Sequence, residues 1–126
     1  MRLINNAPSV PAAVGPYSQA VESGPFIFCS GQIPINPASG KIEAQDVEGQ
    51  TRQVLANISA LLASQDRSLN DVIKATVFLT DMADFPKVNA LYAAAFGDHK
   101  PARSTVQVAA LPLAALVEIE VIVAKV

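Results

Sequence analysis

Residues 117–123 alternate without a break: Val117, Ile119, Val121 and Val123 take one side of an extended chain, and Glu118, Glu120 and Ile122 take the other. Successive side chains of a strand point to opposite faces, so this stretch reads as a strand with one wholly apolar face. Its other face carries two carboxylates. A chain built around such a strand needs a sheet with one side on a core and the other side left for polar groups or for another surface.

A second alternating run, 72–79, puts Ile73, Ala75, Val77 and Leu79 on one face and Lys74, Thr76 and Phe78 on the other. The purely apolar face is expected to lie under helices. Two helices have the right spacing. From Asp46, a plausible N-cap, Val47, Val54, Leu55, Ile58, Leu61 and Leu62 recur at intervals of three and four. A second helix begins near Asp84, with Pro86 in its first turn, with Val88, Leu91, Tyr92, Ala95 and Phe96 on one side, and with Gly97 just past its end. Upstream, "YSQAVES" and "FIFCSGQIP" read as two strands around Gly24-Pro25, a hairpin pattern. The opening "NNAPSVPAAVGPYSQ" is too rich in Pro and Gly for a helix and is expected to run extended over the surface.

Strands, helix, strand, helix, strands is an α+β order, with two helices packed on one face of a single sheet. Residues 1–126 form one domain on this reading, without internal repeat or linker. No third helix covers the other face, and 51% hydrophobic residues is a high fraction for a chain of 126. Copies of the chain are therefore expected to meet on the open side.

Charge and length exclude several classes. A net charge of −2, with no run of Lys or Arg, disfavours a nucleic-acid partner. The longest apolar stretch, 109–117, is interrupted by Pro112 and falls far short of the ~20 residues a membrane span needs. With no basic segment leading into an apolar leader, a soluble, cytoplasmic protein is expected. Cys29 is the only cysteine, which rules out an internal disulfide or a thiolate zinc cluster within one chain. No metal and no cofactor is expected.

The chemistry is expected in the last segment, "PARSTVQVAALPLAALVEIE". Arg103, Thr105 and Gln107 share one strand face there, and Ser104, Val106 and Val108 the other. If this strand and the last one pair as a hairpin around Pro112, Arg103 comes close to Glu118 or Glu120. A guanidinium offers a planar, permanently charged fork for a small carboxylate, and an adjacent acid can move protons. The same pair would serve equally as a plain salt bridge at a subunit seam.

A resemblance covers nearly the whole chain. "GPYSQA" at 15–20, "SGQIP" at 30–34, "IKATVFLTDMADFPKVNALY" at 73–92 and "PARSTVQV" with "VEIE" up to residue 120 are together similar to the RidA/YjgF family of reactive intermediate deaminases. That resemblance implies a chorismate-mutase-like fold, a homotrimer with sites between subunits, and cofactor-free hydrolysis of enamines and imines such as 2-aminoacrylate and 2-aminocrotonate to 2-oxo acids and ammonia. It implies that Arg103 grips the substrate carboxylate, that Glu118 positions water or shuttles a proton, that Ser30 and Gly31 line the pocket, and that Tyr17 closes it. Well-known members carry a cysteine two residues after the arginine, where this chain has Thr105, whose backbone is expected to meet the ligand. The alternative is a trimer that binds small carboxylates without turning them over. A ribonuclease is a third reading, disfavoured by the acidic balance and the lone His99.

Overall fold

The computed structural model describes residues 1–125. Strands β1 (Arg2–Ile4), β2 (Ala20–Ser23) and β3 (Phe26–Cys29) open the chain, and the short pair β4 (Ile35–Asn36) and β5 (Lys41–Ile42) follows. Then come helix α1 (Val47–Ala63), strand β6 (Val72–Leu79), helix α2 (Phe85–Phe96), and strands β7 (Ala102–Gln107) and β8 (Val117–Ala124). Six strands form one mixed sheet in the order β1-β2-β3-β8-β6-β7, in which only β6 and β7 run parallel. The α+β reading holds, with two helices over one face of this sheet.

Both helices start where their sequence signals place them. The Asp46 carboxylate accepts from the Gly49 amide at 3.2 Å, and Pro86 stands in the first turn of α2, where its missing N–H costs nothing. α1 buries Val54, Leu55, Ile58, Leu61 and Leu62 against Val117, Ile119, Val121 and Val123 of β8 and Ala75, Val77 and Leu79 of β6. From α2, Val88, Tyr92 and Phe96 join them, whereas Ala95 is exposed. The alternation of β6 breaks at its start. A bulge between Val72 and Lys74 turns Val72 into the core and leaves Ile73 42% exposed, so Ile73 does not share the face of Ala75.

β2 and β3 pair around Gly24-Pro25, with Gly24 at φ +58, a conformation glycine adopts without strain. The strands are shorter than the motifs that suggested them, because the Tyr17 amide donates to the Gly15 carbonyl in a tight turn before β2. The opening segment is anchored by Gln19: its amide oxygen accepts from the Ala7 N–H at 3.0 Å and its nitrogen donates to the Pro11 carbonyl at 3.0 Å. Ala7 and Val10 are thereby drawn into the core.

One expectation about the sheet is overturned. β7 and β8 do not form a hairpin around Pro112; each pairs with β6, β7 in parallel and β8 antiparallel, so β6 lies between them. The crossover through α2 delivers β7 to the outer side of β6, and residues 108–116 then carry the chain to the inner side.

The opposite face of the sheet is open. One row across it runs Leu3, Val21, Phe28, Ile122, Lys74 and Ala102. Phe28 is 45% exposed on it, and Phe26 and Val106 are also exposed. No helix among the described residues is long and apolar enough to cross a membrane.

Candidate active site

Two groups of residues stand out, at two places on the sheet. The first is built where β3 ends beside β8. The Ser30 N–H donates to the Gln19 carbonyl at 3.0 Å and its hydroxyl to the Ser18 carbonyl at 2.6 Å, tying the residues after β3 to those before β2. Gln32 and Ile119 exchange backbone hydrogen bonds of 2.9 and 3.2 Å, which lays residues 30–32 against β8. Asn57, fully buried on α1, donates to the carbonyls of Ile33 and Ile35 at 3.3 and 2.9 Å and fixes the chain just beyond.

Gly31 then faces Glu118 so closely that a Cβ at this position would overlap the carboxylate, lying 2.9 Å from Cδ. Its φ is not in the left-handed region; space, not conformation, requires glycine here. Glu118 is half-buried, and burial raises its carboxyl above the ordinary value, with a smaller push from the like charge of Glu120. Tyr17, 53% exposed, lines a small cleft of about 60 Å³ together with Gln19, Gly31, Gln32 and Ile33. Gly31 thus links the two parts: it faces the Glu118 carboxylate, it shares a cleft with Tyr17, and Ser30 beside it is tied to residues 18 and 19.

Arg103 lies elsewhere. It stands beside Ala75 on edge strand β7, in register with Val121 across β6, so its side chain rises on the helix side of the sheet. There its Nη1 donates to Asn89 Oδ1 at 2.8 Å, and its guanidinium lies 4.8 Å from the ring centre of Tyr92 and 5.4 Å from that of Phe85. Glu118 projects from the opposite face, opposite Phe78 of β6. Within one chain, Arg103 therefore meets neither Glu118 nor Glu120. The expected proximity fails for two physical reasons: a strand intervenes, and the two side chains have opposite parity. The ion pairs among the described residues are Arg2–Glu22 and Lys125–Glu22, and neither involves these groups.

Thr105 shares the Arg103 face, beside Val77, and its hydroxyl is buried without a partner. The Tyr92 hydroxyl is likewise buried and unpartnered, and burial raises the phenol's pKa against a smaller lowering by Arg103. Asn89, Tyr92 and Phe85 were not singled out by sequence reasoning as site residues. The signal existed: 85, 89 and 92 follow helical spacing and place an amide between two aromatic rings. Beside Arg103 opens a cleft of about 380 Å³ between α2 and the start of β7. Among the described residues, no three His, Cys, Asp or Glu side chains are grouped to hold a metal ion.

Residues 7–125 match the family model described as Endoribonuclease L-PSP. A RutC family protein from Pyrococcus horikoshii is 54% identical over 117 residues, covering 93% of each chain. The 2-iminobutanoate/2-iminopropanoate deaminase of Escherichia coli K12 is 46% identical over 120 residues, again covering 93% of each. Among solved structures, Escherichia coli TdcF with bound serine superposes with a TM-score of 0.93 at 42% identity over the whole of both chains.

Proposed function

The chain belongs to the RidA/YjgF family, and from that premise we propose that it is a cofactor-free deaminase hydrolysing small enamines and imines to 2-oxo acids and ammonia. The observation that carries this reading is the pair of half-sites: Arg103 held on one edge with no carboxylate partner among the described residues, and Glu118 pressed against Gly31 on the other face. Neither alone does the chemistry. Brought together by two copies of the chain, they supply an anchor and a proton-transfer group for one small acid.

The proposed assembly is a homotrimer of chorismate-mutase-like type in which β7 of one copy meets the Gly31 side of the next. Exposed Phe26, Phe28 and Val106 support this, since an apolar open face on a small domain is where subunits join. The substrate carboxylate pairs with the Arg103 fork. Glu118 protonates the enamine carbon, giving the iminium; water adds to the C=N carbon and returns a proton to Glu118, and the C–N bond of the resulting carbinolamine breaks as its hydroxyl proton passes to nitrogen, so that ammonia leaves and the 2-oxo acid remains. A raised pKa keeps a larger fraction of Glu118 protonated near neutrality, as an acid needs. Ser30, Gly31 and Thr105 line the site and Tyr17 closes it. Proton transfer of this kind contributes about 10²–10⁴-fold.

The deaminase relative at 46% identity and the relative holding serine both support a small amino-acid-derived ligand. The endoribonuclease description of the family model fits less well with a net charge of −2. The proposed setting is the cytoplasm, alongside pyridoxal-phosphate dehydratases that release enamines. Coupling the protein at micromolar concentration to a serine or threonine dehydratase and following 2-oxo acid release tests the reading. Faster release supports it; an unchanged rate overturns it. Tight carboxylate binding without acceleration would instead identify a non-catalytic binding trimer.

A further inference from the structure

The cleft beside Arg103 is larger and more basic than capture of one carboxylate requires. Its volume of about 380 Å³ falls within the range of small-molecule pockets, of which a three- or four-carbon acid fills a minor part. Within one chain, two permanent cations, Arg103 and Lys100, line it, with His99 just before Lys100 in sequence, and no acidic residue is among its described lining residues. Its floor is aromatic, from Tyr92 and Phe96, whose rings stack at 4.4 Å.

Tyr92 presents its ring to this cleft rather than its hydroxyl, since the residue is 7% exposed and its hydroxyl oxygen is covered. His99 is fixed by donation from Nε2 to the Val72 carbonyl at 2.6 Å, which holds the start of the β7 segment, and with it Lys100, against the sheet. Three residues of extended chain separate Lys100 from Arg103 by at most about 11 Å, and a lysine's four-carbon stem shortens that gap freely.

We propose that this cleft selects dicarboxylates: one carboxylate on Arg103, a second on Lys100, as in four- and five-carbon 2-imino and 2-oxo diacids. The inference rests on the deaminase reading for the reaction but not for the binding preference. For the imine of a dicarboxylic amino acid, water oxygen bonds to the C=N carbon, the C–N bond breaks and ammonia departs, leaving the 2-oxo diacid; nothing is oxidised or reduced.

Calorimetry on the wild-type protein and on Lys100→Met, with 2-oxoglutarate and 2-oxobutanoate as probes, reads the preference directly. One added charge-assisted contact at an exposed lysine corresponds to about tenfold tighter binding of the diacid. Lys100→Met is expected to bring the two affinities within about threefold of each other, with 2-oxobutanoate binding unchanged. Equal wild-type affinities, or a preference that survives Lys100→Met, overturn the proposal whether or not any imine is turned over. A parallel assay feeds imines made by a flavin amino-acid oxidase from aspartate and from alanine. Acceleration with the alanine-derived imine alone sinks the dicarboxylate proposal and leaves the deaminase; acceleration with neither sinks the deaminase, and calorimetry then decides the ligand class.

Discussion

Gly31 and Glu118 occupy so tight a contact that the absence of one Cβ decides where the carboxylate stands. The overlapping atoms are the far end of a flexible side chain, so an added methyl displaces Glu118 more readily than it deforms the backbone. Gly31→Ala is therefore expected to fold with a melting temperature near that of the parent. The proposed deaminase rate should fall by about 10²-fold or more, the lower end of what a placed acid contributes. Steady-state kinetics beside thermal unfolding checks both halves, and a variant that is fully active contradicts the proposed role of this contact.

Burial, with a smaller push from Glu120, makes Glu118 costly to keep ionised. Its folded-state pKa lies above the ordinary 4.5, so between 4.5 and the raised value the folded chain binds more protons than the unfolded one, and stability falls as pH rises. Glu118→Gln removes that cost. The variant is expected to melt higher than wild type at pH 7, to lose this advantage as pH falls below 4.5, and to have lost deamination. Melting curves across that range would expose an error, since an unperturbed carboxylate gives no pH-dependent difference.

Much of this was legible in local pattern. The helices follow from spacing and caps, because Asp46, Pro86 and Gly97 act on backbone groups within a turn of themselves. Tyr17, Ser30, Gly31 and Glu118 were named from sequence resemblance; the structure sets Gly31 against Glu118 and in one cleft with Tyr17, and ties Ser30 to the Ser18 carbonyl. The partner of β7 was not legible. Which strands pair is a non-local outcome, and the crossover through α2 outweighs the nearness in sequence of β7 and β8. Once that pairing changes, the relation of Arg103 to Glu118 changes too, because parity fixes the face of each. Ile73 was misplaced for a smaller reason, a bulge that shifts the alternation by one residue.

Cys29 packs into the core between Ala20 and β8, is 7% exposed, and burial pushes its thiol up to about 12. Only the thiolate attacks a disulfide reagent, so at pH 8 almost none is available and the sulfur is covered besides. The native protein is expected to leave an aromatic disulfide reagent unreacted over an hour and to release one equivalent in denaturant. Because position 105 is a threonine and Cys29 is the only cysteine, alkylating agents should leave the proposed activity of the native protein unchanged. Rapid native labelling or inactivation would show that Cys29 is reached.

Arg103 is positioned by Asn89 and the faces of Tyr92 and Phe85. Arg103→Ala, at an exposed site, should change stability little and weaken substrate capture by about 10- to 100-fold, the worth of a charge-assisted hydrogen bond. Asn89 separates orientation from simple packing. Asn89→Ala frees the guanidinium and should raise KM by about threefold with kcat retained. Asn89→Asp places a carboxylate on the same fork, competes with the substrate, and should raise KM further. If the alanine and aspartate variants behave alike, Asn89 does not act through Arg103.

Arg103 and Glu118 rise from opposite faces with β6 between them, so on the proposed reading a complete site draws on two chains. This makes complementation a decisive measurement. At substrate concentrations below KM, Arg103→Ala and Glu118→Gln are each expected to keep at most about a tenth of the wild-type rate alone, the first through weak capture and the second through loss of the acid. Unfolded together in equal amounts and refolded, they form mixed assemblies in which some sites receive arginine from one chain and glutamate from the other. With random mixing in a cyclic trimer, about a quarter of sites are intact, so about a quarter of wild-type activity should return. A site contained within one chain would recover nothing, because each chain lacks one of the two groups.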